Sequence, residues 1–169
     1  MTKKSCLKKG LVMALVMGAV LSLTGCPKEA GSSGGGENGF NIASVEGTWV
    51  CSPYNSTTNI DEIILISSDT IKQTLYDPSD GWTSDKFEGE IVKTLQSNSY
   101  VGIIGKNSSD KFRLYILKNI KKNTSIEAFP CSDDNTLEDA EEFFNEATCG
   151  DEWAKILQDG MNYHTYIRQ

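Results

Sequence analysis

The sequence predicts a mainly β protein: a small antiparallel eight-stranded barrel with one or two short helices before the last strand. Three observations predict this fold class. Residues 46–129 hold seven short segments in which apolar and polar side chains alternate. Polar turns separate these segments at regular intervals, which is typical of antiparallel barrels and sandwiches. Residues 136–158 then change to a helical period, before a final alternating segment begins at residue 162.

The seven segments share β-branched and aromatic residues, and we predict each as a strand. They cover residues 46–52, 60–67, 70–76, 86–95, 98–105, 111–118 and 124–129. Pro130 is expected to stop the seventh strand, because proline cannot donate a hydrogen bond to a sheet ladder.

The helical period is clearest in residues 136–147, where Leu137, Ala140 and Ala147 fall on one side. Asn135 or Thr136 is expected to cap this helix. A shorter helix is predicted over residues 151–158, with Gly160 ending it. Residues 162–168 alternate again and are predicted to be the eighth strand.

The triplet Gly47-Thr48-Trp49 opens the first predicted strand. It resembles the Gly-x-Trp motif on the first strand of lipocalins and related calycins. The resemblance implies that Trp49 plugs the closed end of the barrel and that Arg168, on the last strand, packs over its ring, a favourable cation–π arrangement. The alternative is another small β-barrel or sandwich in which Trp49 is an ordinary core aromatic residue.

An eight-stranded barrel has an interior that can hold one small ligand. The expected ligand is small and apolar, because the inward faces of the predicted strands are apolar. The residues expected to surround it are Ile71, Leu75, Phe87, Ile91, Phe112, Leu114 and Ile116.

No combination of residues specifies a reaction, so we expect neither an enzyme nor a bound cofactor or metal. The single histidine, His164, falls on an alternating strand and is expected at the surface. Glu88 and Glu90 share one strand face, which is expected to be solvated.

Three cysteines remain beyond the N-terminal region: Cys51, Cys131 and Cys149. Export favours disulfides, and an odd number leaves one thiol over. Cys131 and Cys149 flank the first predicted helix, and this pair is favoured over Cys51 with either of them.

The first 26 residues have the three parts of an export signal. Four lysines precede an apolar run over residues 11–23, which is short for a membrane span. Leu23-Thr24-Gly25-Cys26 follows and resembles the lipobox of bacterial lipoproteins. The resemblance implies that residues 1–25 are removed as a signal peptide and that Cys26 receives a diacylglyceryl group, with its palmitate-type chains as the lipid anchor. An uncleaved transmembrane anchor is the alternative.

Residues 26–39 hold the lipidated cysteine and a Gly/Ser-rich segment that is predicted to be a flexible tether. The barrel domain is expected to span residues 40–169. Pro27 is not the aspartate that retains some lipoproteins in an inner membrane, so an outer membrane is favoured, with the domain in the periplasm or on the surface.

The chain has 16 basic and 23 acidic residues, and residues 1–25 hold four lysines and no acidic residue. The mature protein therefore carries a net charge of −11, which argues against nucleic acid as a partner. It also means that membrane attachment depends on the lipid at Cys26. Two functions remain open: a lipocalin-like module that binds a small apolar ligand, and an envelope protein-interaction module (inhibitor, adhesin or assembly subunit) without a ligand pocket.

Overall fold

The structure is a computed structural model, and it describes residues 40–55, 59–150 and 152–169. The predicted signal peptide, the lipidation site Cys26 and the tether lie outside the described residues.

Eight strands form one closed antiparallel barrel, in which each strand pairs with its neighbours in sequence. β8 pairs with both β7 and β1, and this pairing closes the ring. The predicted eight-stranded barrel is confirmed. The strands are Gly47–Asn55 (β1), Ile60–Ile66 (β2), Thr70–Tyr76 (β3), Thr83–Ser97 (β4), Tyr100–Lys106 (β5), Phe112–Lys121 (β6), Ser125–Asp134 (β7) and His164–Arg168 (β8).

Two α-helices, Leu137–Thr148 (α1) and Glu152–Gly160 (α2), lie between β7 and β8, as predicted. Thr136 caps α1, because its hydroxyl accepts a hydrogen bond from the Asp139 backbone N–H at 3.1 Å. A single 3-10 turn, Ile42–Ser44, precedes β1.

The up-and-down strand order gives the barrel two ends. We call the end where β1 begins the closed end, and the turns at 67–69, 98–99 and 122–124 lie there. The opposite, open end carries the turns at 77–82 and 107–111. α1 starts at the open end and runs the length of the barrel. At the closed end the Thr148 carbonyl accepts hydrogen bonds from Ser97 Oγ at 3.1 Å and Asn98 Nδ2 at 3.3 Å.

Apolar side chains form two clusters, one on each side of the barrel wall. The interior cluster comprises Val45, Trp49, Cys51, Ile64, Ile66, Ile71, Phe87, Val101, Ile103, Tyr115, Leu117, Ile126, Ala128 and Tyr166. The helix-side cluster, between α1 and the outer wall, comprises Ile104, Leu114, Ile116, Ala140, Phe144, Ala147 and Met161. β5 and β6 contribute to both clusters, so their central residues are buried on both faces.

The seventh strand does not stop at Pro130, as the sequence led us to expect, but continues to Asp134. The pairing of β6 with β7 shifts between Arg113 and Tyr115, where two residues of β7 oppose one of β6. Pro130 lies next to this bulge, and such a position tolerates a residue without a backbone donor.

Candidate functional site

The closed end of the barrel is plugged by Trp49, whose side chain is fully buried. Its indole Nε1–H donates to the Val45 carbonyl at 2.7 Å. Arg168 pairs with Trp49 across β1 and β8, and its guanidinium carbon lies 5.7 Å from the indole centroid. The structure thus brings together the two residues expected to close the barrel.

Gly47 is required beside this pair for two reasons. Its φ of +136° is one that residues with side chains rarely adopt, and a Cβ at this position would lie 3.0 Å from Arg168 Nε. The glycine therefore leaves the space that Arg168 occupies over the indole.

The interior above this plug contains a polar network. The Glu62 carboxyl is 1% exposed and accepts hydrogen bonds from Gln73 Nε2 and from the Tyr166 hydroxyl. Gln73 Oε1 in turn accepts from the Tyr115 hydroxyl at 3.2 Å and from Arg113 at 2.7 Å. Buried polar groups are costly unless they are paired, so each member stabilises its neighbours.

Arg113 connects this network to the open end. Its Nε donates to Asp133 Oδ1 at 2.6 Å, and its guanidinium carbon lies 5.1 Å from the Phe87 ring centroid. The network therefore runs from the buried Glu62 carboxyl to the partly exposed Asp133 carboxylate on β7.

Burial sets the protonation of the tyrosines and cysteines around the network. It raises the pKa of the Tyr115 and Tyr166 phenols above their ordinary range; Arg113 partly offsets this effect at Tyr115, and the Glu62 carboxyl adds to it at both. Both hydroxyls thus stay protonated as donors. Burial also raises the pKa of the Cys51 thiol, as do Glu62 and Asp61. A thiol with a raised pKa is a poor nucleophile at neutral pH.

The sequence analysis did not single out this network. Glu62, Ile64 and Ile66 are spaced two residues apart on β2 and therefore share its buried face. A carboxyl at the same spacing as two core residues was the signal that could have revealed the network. Gln73 lies two residues from Ile71 on β3 and is buried on the same face.

The residues expected to surround an apolar ligand are divided between the two sides of the wall. Ile71 and Phe87 belong to the interior cluster, and Ile91 packs against it. Leu75 pairs with Glu62 across β2 and β3 and is half-buried.

The placement of Phe112, Leu114 and Ile116 in the interior was wrong, because they pack in the helix-side cluster under α1. The other face of β6 carries Arg113, and this charged residue suggested that the face is exposed to solvent. Instead, Arg113 donates a hydrogen bond to Gln73, and Tyr115 and Leu117 pack in the interior. The alternation of β6 is therefore displaced by one residue from the expected one.

Five of the interior side chains border no water-sized space. A side chain that borders such a space keeps some accessible surface. Trp49, Ile64, Ile103, Tyr115 and Tyr166 have none. These positions extend from the closed end to the polar network, so the described interior is filled at these levels.

The favoured disulfide is not formed, because Cys131 is a free thiol. Cys131 lies on β7 towards the open end, with its pKa raised to about 12 by burial. Cys149 follows the last turn of α1 at the closed end. A twelve-residue helix is about 18 Å long, whereas a disulfide needs Cα atoms within about 7 Å. The sequence spacing suggested a small loop, but the helix extends it along the barrel.

His164 and Glu88 contact neighbouring side chains. The His164 ring lies 4.6 Å from the Tyr54 ring, and Glu88 pairs with Lys72 at 2.9 Å on the outer wall. Within residues 40–55, 59–150 and 152–169, no three His, Cys, Asp or Glu side chains are grouped to hold a metal ion.

The outer wall away from α1 exposes apolar side chains. Val50 pairs with Ile63 of β2 and with Ile167 of β8, so the three form one row across the wall. Leu65 lies two residues from Ile63 on the same face. Ile167 is 49% exposed and Leu65 is 42% exposed. We call Val50, Ile63, Leu65 and Ile167 the outer patch.

The chain matches no protein-family model, no curated protein and no solved structure. In the part of the chain that the structure describes, neither helix has the length and apolar character needed to cross a membrane.

Proposed function

We propose that this protein is a lipid-anchored lipoprotein of the bacterial cell envelope, and that its barrel binds another envelope protein through the outer patch. It performs no chemistry of its own in this proposal. The observation that supports it is the contrast between a barrel interior filled by its own side chains and an outer wall that exposes Ile167 and Leu65.

The contrast favours a protein over an apolar ligand for a physical reason. A ligand inside the barrel would have to displace side chains that have no accessible surface, at the cost of their packing. A partner on the outer patch gains free energy by covering apolar surface that already faces water, and contiguous exposed apolar surface marks interaction sites. The alternation of β1, β2 and β8 would otherwise place polar residues there.

The anchor follows from the lipobox in this proposal. Residues 1–25 are removed, and the lipid on Cys26 holds the chain to a membrane, with the outer membrane favoured. The described chain enters the barrel at the closed end, so the anchor is joined to that end. Growth with labelled palmitate should label the protein, and Cys26→Ala should abolish the labelling. Label that persists in the variant contradicts the anchor but not the interaction.

Crosslinking in intact cells tests the interaction. A photoreactive phenylalanine at position 63 lies in the middle of the outer patch. We expect it to crosslink to one envelope protein, and Leu65→Glu or Ile167→Glu to abolish the product, because a carboxylate would be buried in the interface.

Ile156→Glu is the matched control, because Ile156 is 61% exposed on α2. It should leave crosslinking unchanged. Equal crosslinking by all variants would contradict the proposal. So would native mass spectrometry that finds a small apolar compound released from the barrel on denaturation, which would restore the ligand-binding alternative.

A further inference from the structure

A groove interrupts the outer wall of the barrel where β6, β7 and β8 lie side by side. Its cause is a β-bulge. Lys118 pairs with Glu127 and Lys121 pairs with Ser125, so Asn119 and Ile120 together oppose Ile126 alone. Asn119 adopts a φ of +49°, a left-handed conformation that asparagine tolerates better than most residues. Such bulges redirect side chains and are frequent beside functional sites.

The bulge shifts the alternation of β6 by one residue, so Lys118 and Asn119, although consecutive, both contact Glu127 on the outer face. Ile120 packs against the interior cluster, whereas the Asn119 amide Nδ2 donates to Glu127 Oε1 at 2.8 Å on the outer face. The groove beside them has a volume of about 520 Å³, within the range of small-molecule sites.

The lining of the groove is rich in short polar groups. Asn119, Glu127, Ser125 and Thr165 supply an amide, a carboxylate and two hydroxyls. Lys121 adds an ammonium group. Ile120 and Ile126 also border the groove, but their side chains belong to the interior side of the wall, and Ile126 has no accessible surface.

The charges of the groove are not balanced internally. Glu127 has two partners, the Asn119 amide and the Lys118 ammonium, which lies 3.7 Å from Glu127 Oε2. Lys118 Nζ is also 3.7 Å from the Tyr163 ring centroid. Lys121 is exposed, and among the described residues it has no carboxylate within 4.0 Å. A cation without a counterion lines this groove, although the protein as a whole is acidic.

We infer that this groove binds a short saccharide that carries a carboxylate or phosphate group. Amide, hydroxyl and carboxylate groups offer the mixed donors and acceptors that ring hydroxyls require. The Lys121 ammonium pairs with the acidic group in a charge-assisted hydrogen bond. The inference is independent of the outer patch, whose residues are apolar.

Isothermal titration of the whole protein in detergent tests the inference. The probes are a galacturonic acid disaccharide, the matched neutral galactose disaccharide and inorganic phosphate. We expect the acidic disaccharide to bind at least tenfold more tightly than either of the others. Lys121→Met should weaken its binding about tenfold, as expected for the loss of one charge-assisted bond. Thr165→Val should weaken it severalfold.

Two control variants test whether the saccharide binds at this groove. Lys155→Met removes an exposed lysine of α2 and should leave the affinity unchanged. Leu65→Glu alters the outer patch on β2, away from the groove, and should not prevent binding, so failure of one proposal is distinguishable from failure of the other. Equal affinity for the neutral disaccharide, binding of phosphate alone, or no effect of Lys121→Met in a variant with unchanged thermal unfolding would each overturn the inference.

Discussion

At the scale of single residues, the barrel is stabilised by a few polar groups that its interior encloses. Glu62 and Gln73 each receive two hydrogen bonds from neighbours on other strands. The network therefore links β2, β3, β6 and β8 across the interior. Removing one donor leaves a buried acceptor without its partner, and the cost exceeds that of an average hydrogen bond.

Tyr166→Phe tests this cost with minimal change of shape. The Glu62 carboxyl loses its hydroxyl donor, and we expect the free energy of unfolding to fall by about 1–3 kcal/mol. Tyr163→Phe is the matched control, because the Tyr163 hydroxyl contacts Met161 Sδ at 3.5 Å and the Gln158 side chain, and it donates to no buried carboxyl among the described residues. Urea unfolding followed by fluorescence measures both. Equal losses in the two variants would contradict the role of the network.

The tyrosines also predict how stability depends on pH. Tyr115 and Tyr166 have pKa values raised by burial in the folded protein, whereas unfolded tyrosine titrates near pH 10. Above that pH the unfolded chain binds fewer protons than the folded one, so the free energy of unfolding falls as pH rises.

We expect full stability from these groups below pH 10 and a progressive loss above it. Unfolding curves between pH 8 and pH 12 should show the decline, and Tyr166→Phe should make it shallower. A flat profile to pH 12 in the unmodified protein would show that the phenols titrate alike in both states.

At the scale of secondary structure elements, α1 is an outer layer that covers β4 to β7. Phe144 is buried against Gly102, where an added Cβ would lie 2.8 Å from its ring. The glycine thus lets the aromatic ring lie directly on the β5 backbone. Because this contact buries surface of both α1 and β5, α1 is part of the hydrophobic core.

Phe144→Ala should therefore cost about 3–5 kcal/mol, the usual loss for a buried phenylalanine. Asn145→Ala, on the exposed face of the same helix, should change stability by less than about 0.5 kcal/mol. Thermal unfolding followed by circular dichroism compares the two. A small effect of Phe144→Ala would mean that α1 detaches readily from the barrel.

The sequence predicted the elements well, and its errors have local physical causes. Alternation and turn chemistry located all eight strands, because most strands have one face that differs from the other and polar turns bound the remaining ones. The alternation along β6 placed Phe112, Leu114 and Ile116 on the wrong face, because α1 covers the outside of this strand. Both faces are therefore largely apolar, and the pattern does not show which of them faces the interior. The network was missed because partners such as Glu62 and Tyr166, distant in sequence, meet only through closure of the barrel.

At the scale of the whole molecule, the ring is weakest where it closes. β8 has five residues, and among the described residues its register with β1 comprises two pairs, Trp49–Arg168 and Val50–Ile167. β5 and β6, in contrast, pair along six consecutive residues and are covered by α1. Separating β1 from β8 therefore exposes less buried surface than separating two strands that α1 covers.

Native-state hydrogen exchange should show this difference. We expect the hydrogen-bonded amides of β8 and of Thr48 to Val50 to exchange at lower free energies than those of Ile103 and Leu114. The measurement is made by NMR at neutral pH. Uniform protection across the barrel would indicate that it opens only by global unfolding.

The position of the closing strand also has a consequence for biosynthesis. Residues 164–168 follow the other seven strands and both helices in the chain, so the ring cannot form until they have been synthesised. Until then β1 and β7 are unpaired sheet edges, which other chains can join. A chain that loses its final strand therefore keeps two unpaired sheet edges, which other chains can join.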